Sequence, residues 1–118
     1  MVGEIEPETL RERLDDGEAP LVLDIRATAD FAEGHLPGSR NVPMAELPGS
    51  IDEIAAADHV VTVCPHGLAS VKAGRIVEAY RDFDGRVDSL DGGLEAWDGP
   101  LETEGSGATD EDGPDAPF

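Results

Sequence analysis

The sequence has 118 residues, enough for one domain with its own hydrophobic core. It contains 27 Asp and Glu residues against 8 Lys and Arg residues, a formal net charge of −19. Such a surface repels nucleic-acid phosphates and anionic lipids, so we expect neither a nucleic acid nor a membrane as a partner. The single cysteine, Cys64, excludes an intramolecular disulfide.

The acidic residues are distributed along the whole chain rather than gathered in one patch. This pattern favours a general adaptation to high salt, where charge repulsion is screened, over one specific basic partner. The first residues show neither a basic region nor an apolar stretch typical of a signal peptide. We therefore expect a halophile-adapted protein in the cytoplasm.

The first half of the chain alternates between strand and helix patterns. Pro7 is suited to the first turn of a helix, and the apolar run at 21–25 predicts a buried strand. Further elements are expected in the following order: a short helix capped by Thr28, a turn at 34–38, an extended piece at 41–43, and a helix over Ile51 to Ala57 capped by Ser50.

The second half continues the alternation. The β-branched run from His59 to Val63 predicts a strand, with His59 at its start as a solvated or capping residue. A helix is expected from Ala69 to Tyr80, then a strand over 86–90 and a final helical turn over 94–97. Strands alternating with helices predict an α/β fold whose parallel sheet is covered on both faces.

The last residues differ in composition from the rest of the chain. Residues 102–118 contain six acidic residues, no basic residue and almost nothing apolar. We expect a domain over residues 1–101 followed by an acidic, disordered tail over 102–118.

The segment V-V-T-V-C-P-H-G-L-A-S, residues 60–70, places Cys64 between a strand and a helix. In α/β sheets, ligands bind beyond the carboxyl ends of the strands. Backbone N–H groups of a loop that curls around the sulfur would favour the thiolate, and Gly67 permits the tight path. From the residues alone, a nucleophilic Cys64 and a small buried Cys64 stand about equal.

Two other interpretations of Cys64 fit less well. Cys64 and His66 are two residues apart, but no second Cys/His pair completes a zinc site, so no metal is expected. Cysteine phosphatases need an arginine six residues after the cysteine to bind phosphate, and Ser70 occupies that position.

Four stretches, in the right order and spacing, resemble the rhodanese family of sulfurtransferase domains. They are L-V-L-D-I-R at 21–26, F-A-E-G-H-L-P-G-S-R-N-V-P at 31–43, C-P-H-G-L-A-S at 64–70 and L-D-G-G-L-E-A-W at 90–97. The resemblance implies a rhodanese-like three-layer α/β/α fold with a mainly parallel five-stranded central sheet.

It also implies an activity. Cys64 would take sulfane sulfur from a donor such as thiosulfate as a persulfide, and then pass it to cyanide or a thiol acceptor. The expected partners are a small sulfur donor, a thiol acceptor and a sulfur-relay protein, and no cofactor is expected. The alternative is a non-catalytic binding or regulatory module of the same family.

The resemblance assigns roles residue by residue. Cys64 would carry the persulfide. The surrounding loop would bind the substrate through Pro65, His66, Gly67, Leu68, Ala69 and Ser70. Asp24, Arg26 and His35 would support the loops through hydrogen bonds. Gly92 and Gly93 would let a turn pass close to the sheet, and Trp97 would pack in the core.

One departure from the family pattern concerns the donor. Many family members that use thiosulfate have an arginine or lysine in the loop, whereas here only His66 can become cationic. Lys72 and Arg75 lie one or two helical turns further on. We therefore expect thiosulfate to be a poor donor and a protein persulfide to be the natural one.

Overall fold

The computed structural model describes residues 2–17, 20–99 and 101–103. The strands are β1 (Gly3–Ile5), β2 (Leu21–Asp24), β3 (Arg40–Asn41), β4 (His59–Val63) and β5 (Arg86–Leu90). The helices are α1 (Pro7–Asp15), α2 (Thr28–Glu33), α3 (Leu47–Ile54) and α4 (Ala69–Ala79), with 3₁₀ turns at Met44–Glu46 and Leu94–Ala96.

The five strands form one sheet in the order β1-β5-β4-β2-β3, and each described pair of neighbours is parallel. Parallel neighbours require long crossover connections, which the helices between them supply. In the central pair, Asp24 at the end of β2 lies beside Val63 at the end of β4. The loops that follow these two strands therefore leave the sheet at the same edge.

Side chains of β4 alternate between two hydrophobic clusters, one on each face of the sheet. Val60 and Cys64 belong to the cluster that packs against α3 and α4. Val61 and Val63 belong to the cluster that includes Leu10 of α1. Because strand residues alternate between the two faces, these clusters form two cores and produce the three-layer α/β/α architecture predicted above.

The structure corrects several predicted boundaries. Helix α3 begins at Leu47 with Pro48 in its first turn, so Ser50 lies inside the helix rather than capping it. Ala27 occupies the N-cap position of α2, and Thr28 is its first helical residue. Strand β1 was not predicted, because three residues carry little pattern and it is defined by its pairing with β5, far along the chain.

The prediction that His59 is solvated was wrong, since its side chain is 14 % exposed. Its ring Nε2 lies 2.8 Å from Oδ2 of Asp88, a carboxylate that is 1 % exposed. The Arg86 guanidinium Nε reaches the same oxygen at 2.9 Å. His59 is thus part of a polar cluster at the amino edge of the sheet, opposite to the edge where Cys64 lies. The predicted core position of Trp97 is confirmed, since it is 9 % exposed.

The start of the predicted acidic tail is ordered against the domain. Glu102 pairs with His35 through two backbone hydrogen bonds, of 2.9 and 2.8 Å. Residues 104–118 lie outside the described residues, so their predicted disorder stays a prediction. Within the described ranges, the structure contains no helix with the length and apolar character needed to cross a membrane.

Candidate active site

Cys64 follows directly after β4 and lies at the carboxyl edge of the sheet. Its side chain is almost fully covered, with 2 % exposure. The backbone N–H of Gly67 donates a hydrogen bond to the Cys64 Sγ at 3.0 Å, and the N–H of Ser70 donates another at 3.3 Å. The loop therefore curls around the sulfur and directs amide donors at it.

These donors change the acidity of the thiol. Burial alone would raise the pKa of Cys64, because it disfavours the charged thiolate. Hydrogen bonds outweigh that effect and lower the pKa: they come from the Ser70 side chain and from the backbone amides of Ser70, Gly67 and His66. A lowered pKa increases the fraction of thiolate, the form of cysteine that acts as a nucleophile.

Ser70 connects the sulfur to the sheet. It is fully buried at the first turn of α4, and its Oγ lies 2.5 Å from the Ser89 Oγ on β5. Its carbonyl accepts a hydrogen bond of 2.7 Å from the hydroxyl of Thr62 on β4. The end of the loop is thus fixed by two strands, and the Ser70 hydroxyl is held in position.

The loop after β5 packs against the Cys64 loop. Gly93 has φ of 67°, and a Cβ built on it would lie 2.4 Å from the Cys64 carbonyl oxygen and 2.5 Å from the Gly67 nitrogen. Only a glycine fits in this space with this backbone conformation. The Leu94 and Glu95 amides then donate hydrogen bonds to the carbonyls of Cys64 and Pro65, at 2.8 and 3.0 Å. The two loops therefore form one unit.

The remaining loop residues face outward. Leu68 is 80 % exposed, the largest exposure among the large apolar residues of the described chain. The His66 ring Nδ1 lies 3.3 Å from Oε2 of Glu95, and both side chains are mostly exposed. Ala69 begins α4. The loop thus directs its amides inward at the sulfur. Its outer rim, which we call the mouth, carries Leu68 and the contact between His66 and Glu95.

Asp24 and Arg26 lie in the neighbouring loop after β2. The Asp24 carboxylate, 1 % exposed, accepts hydrogen bonds from the Arg26 guanidinium at 2.7 to 3.1 Å and from the Arg26 backbone N–H at 3.0 Å. Arg26 also donates to the Gly34 carbonyl at 2.6 Å. The two side chains thus bind each other, and the hydrogen bond from Arg26 to Gly34 holds the end of α2 beside the sheet.

His35 is nearly inaccessible, at 1 % exposure. Its ring stacks on that of Phe31 with centroids 3.8 Å apart, and its Nδ1 lies 2.7 Å from the Phe31 carbonyl oxygen. Its backbone pairs with that of Glu102. These contacts join the end of α2 to the last described residues of the chain.

Sequence reasoning missed three residues of this site. Thr62 and Ser89 are ordinary polar residues within strands, and Glu95 is one acidic residue among 27. Their contacts with Ser70 and His66 join residues 8, 19 and 29 positions apart in the sequence. No local signal marks such pairs. In the part of the chain that the structure describes, no group of three or more His, Cys, Asp or Glu side chains is arranged to hold a metal ion.

Comparison with known proteins places this loop in a family. The family model described as "Rhodanese-like domain" matches residues 6–99. The chain belongs to the rhodanese-like domain family. The match includes both loops around Cys64 and all strands except β1, so the family assignment covers the candidate site.

Individual relatives agree with this assignment. A protein of Allochromatium vinosum named "Sulfurtransferase" is 38 % identical over 97 residues, which cover 82 % of this chain and 89 % of the relative. The thiosulfate sulfurtransferase GlpE of Pseudomonas aeruginosa is 40 % identical over 98 residues, covering 79 % and 81 %.

A solved structure has the same architecture. The rhodanese-like domain protein from Staphylococcus aureus superimposes on this chain with a TM-score of 0.77. The superposition covers 88 % of this chain and 100 % of the Staphylococcus aureus chain. At 24 % sequence identity, this likeness supports the fold alone. The predicted rhodanese-like fold is thus confirmed.

Proposed function

We propose that this protein is a rhodanese-type sulfurtransferase that carries sulfane sulfur as a persulfide on Cys64. The observation that carries the proposal is the Cys64 sulfur, which accepts hydrogen bonds from the Gly67 and Ser70 amides at 3.0 and 3.3 Å. Preorganised amides of this kind stabilise negative charge on a reacting atom. The names of the two relatives described above agree with this chemistry.

The first half-reaction loads the cysteine. The Cys64 thiolate attacks the outer sulfur of thiosulfate, its electron pair forms a new S–S bond, and the original S–S bond breaks. Sulfite leaves with that electron pair, and the cysteine carries a persulfide anion. The net charge is conserved, since a thiolate and a dianion give a persulfide anion and a sulfite dianion. The amides that hold the thiolate also point at the anionic persulfide.

The second half-reaction unloads the sulfur. A cyanide ion or a thiolate acceptor attacks the outer sulfur of the persulfide, and Cys64 leaves as the thiolate. A lowered pKa of Cys64 makes this thiolate a better leaving group, since its negative charge is already stabilised. The loop thus assists both halves of a ping-pong reaction, with Cys64 as nucleophile first and leaving group second.

The Cys64 loop supplies the substrate contacts in this proposal, through Pro65, His66, Gly67, Leu68, Ala69 and Ser70. Asp24, Arg26 and His35 support the neighbouring loops. The partners are a small sulfur donor, either thiosulfate or a persulfide, a thiol acceptor and a sulfur-relay protein. The chemistry needs no cofactor, because the loop amides provide the charge stabilisation. The proposed location is the cytoplasm, where a lone cysteine is kept reduced.

The decisive experiment is mass spectrometry of the intact full chain after incubation with thiosulfate, a thiosulfonate or glutathione persulfide. We expect one added sulfur atom per chain, removed by cyanide with formation of one thiocyanate. The matched control is Cys64→Ser, which keeps a small polar side chain and should gain no sulfur. Absence of an adduct with every donor would overturn the proposal.

A non-catalytic binding module is the second candidate. The observation in its favour is the mouth of the loop, where Leu68 is 80 % exposed and the His66 ring lies 3.3 Å from the Glu95 carboxylate. In this candidate function, Leu68 would supply the apolar contact with a partner protein. The same experiment separates the two, because a binding module would neither load sulfur nor turn it over.

A further inference from the structure

The mouth of the Cys64 loop contains one close contact between polar side chains, formed by His66 and Glu95. The distance from the His66 Nδ1 to the Glu95 Oε2 is 3.3 Å, and the two side chains are 65 % and 73 % exposed. The position of Glu95 is fixed by its backbone, whose N–H donates a hydrogen bond to the Pro65 carbonyl at 3.0 Å. A carboxylate is therefore held next to the loop that surrounds the sulfur.

A groove with mostly apolar walls adjoins the mouth at Glu95. Pro65, Leu94 and Leu101, together with Glu95, line a groove of about 330 Å³. Leu68 extends from the loop into solvent. In the neighbouring loop, the Arg26 guanidinium is bound to Asp24 and to the Gly34 carbonyl. Glu95 is thus the charged member of the groove.

This arrangement adds a local charge to the electrostatic field met by a donor. When the His66 ring is protonated, Glu95 offsets its charge, and when the ring is neutral, Glu95 leaves a net negative charge. In neither state does the pair present a net positive charge to an anion. The repulsion felt by a donor increases with the donor's own negative charge.

We propose that Glu95 is a specificity-determining residue that disfavours dianionic sulfur donors and favours donors with less negative charge. The inference rests on the proposed sulfur transfer at Cys64. It concerns the charge of the donor, and it assigns the discrimination to one side chain outside the Cys64 loop.

A pair of donors with matched chemistry isolates this effect. Thiosulfate and methanethiosulfonate both present a terminal sulfur bonded to an oxidised sulfur, but their charges are −2 and −1. In each case the Cys64 thiolate takes the terminal sulfur, and sulfite or methanesulfinate leaves with the electron pair of the broken S–S bond. Differences in their response to Glu95 therefore report charge.

The experiment measures kcat/KM for both donors in the full chain and in Glu95→Gln, at one fixed pH and an ionic strength of about 0.1 M, where the Debye length is about 10 Å. For thiosulfate we expect a rise of about 3- to 10-fold, from the removal of one charge several Å from a dianion. For methanethiosulfonate the rise should be about 2- to 3-fold, because the interaction scales with donor charge. Glu95→Lys should increase both further, and molar KCl should reduce all these differences.

The matched control is Asp58→Asn, which also removes one exposed carboxylate. Asp58 precedes β4, and the six residue steps from Asp58 to Cys64 span roughly 20 Å at about 3.3 Å per step. At this distance, salt screens the interaction, and we expect a change of less than about 1.5-fold for either donor. Thermal melting of all variants checks that the fold is retained.

The outcomes are distinct. A larger gain for thiosulfate than for methanethiosulfonate in Glu95→Gln, absent in Asp58→Asn, supports the inference. Equal gains for both donors, or none, would overturn it while sulfur loading of Cys64 continued. If neither donor, nor any other sulfane donor, loads Cys64 in the unmodified chain, the proposed function itself fails, and that result is seen before any variant is compared.

Discussion

The loops after β2 and β4 leave the sheet side by side, yet they use their polar groups in opposite ways. After β2, the Asp24 carboxylate and the Arg26 guanidinium bind each other, and the loop closes on itself. After β4, the amides of Gly67 and Ser70 point at the Cys64 sulfur. The same sheet edge thus carries one loop built for rigidity and one that leaves donors for a reacting atom.

A reactive strand end differs from a structural one in the partners that its polar groups bind. Both loops contain buried polar groups with partners, as the cost of leaving such groups unpaired requires. In the Asp24 loop the partner is an opposite charge, so the two side chains neutralise each other. In the Cys64 loop the partner is a neutral or anionic sulfur, whose charge and bonding change during a reaction. Variants in the two loops should therefore fail differently.

The largest effect is expected for Gly93→Ala, which pushes a methyl group into the Cys64 loop. The new Cβ would overlap the Cys64 carbonyl oxygen and the Gly67 nitrogen, at φ of 67°. We expect a loss of about 4 kcal/mol in the free energy of unfolding, from the backbone conformation and the overlap together. Sulfur loading in the folded fraction should fall at least about 10-fold, as measured by intact mass at short times.

Gly17→Ala is the matched control for that variant. Gly17 also has a positive φ, of 76°, but a Cβ built there meets nothing within 4 Å. Only the conformational cost of about 1 kcal/mol remains, and sulfur loading should not change. Equal losses of loading in both variants would show that contact between the two loops is unimportant.

Asp24→Asn tests the structural loop. It removes the negative charge opposite Arg26, which is only 10 % exposed, and breaking such a pair costs about 3 kcal/mol in unfolding free energy. We expect this loss in denaturant unfolding, with the rate of sulfur loading of the folded protein within about twofold of the original. A large drop in loading without loss of stability would mean that the β2 loop takes part in the chemistry.

A smaller effect is expected for Ser70→Ala, which removes the hydroxyl that helps to lower the pKa of Cys64. Cys64 reactivity rises with pH as the thiol ionises, so the profile of alkylation by iodoacetamide should be half-maximal below the ordinary cysteine pKa. In Ser70→Ala the profile should shift to higher pH, with a loss of roughly threefold to tenfold in rate at neutral pH. The Asp24→Asn profile should not shift.

The smallest effect concerns the surface as a whole. If the net charge of −19 reflects adaptation to salt, the melting temperature should rise between dilute buffer and molar KCl, because screening reduces repulsion between carboxylates. The rise should be similar in the original protein and in Ser70→Ala. A flat or falling melting temperature would remove the interpretation as halophilic adaptation.

Sequence reasoning succeeded where the information is local. The β-branched run His59–Val63 and the helix after it were predicted within one residue of their observed ends. The glycine pair Gly92 and Gly93 predicted a close approach of two backbones, and both have positive φ. A short pattern was enough in each case, because β-branched side chains restrict the backbone to extended conformations and glycine permits positive φ.

It failed where structure depends on distant partners. Strand β1 is defined by its pairing with β5, more than 80 residues later, as in Gly3 with Asp88. His59 was expected in solvent, but folding brings Asp88 to it across the sheet. The start of α3 was predicted too late in the sequence, because the glycine after Pro48 has a low helix propensity and weakened the helical pattern. The contact between His66 and Glu95 likewise has no trace in the local sequence.

The pairing of Glu102 with His35 has a practical consequence for labelling. Leu101, one residue before Glu102, lines the groove together with Pro65. The last described residues therefore lie close to the mouth of the Cys64 loop. A fluorophore or affinity tag attached shortly after residue 103 is tethered at high effective concentration to that mouth. A label placed before β1 begins near the buried Asp88 at the far edge of the sheet. An amino-terminal label is therefore the better choice for measurements of donor binding.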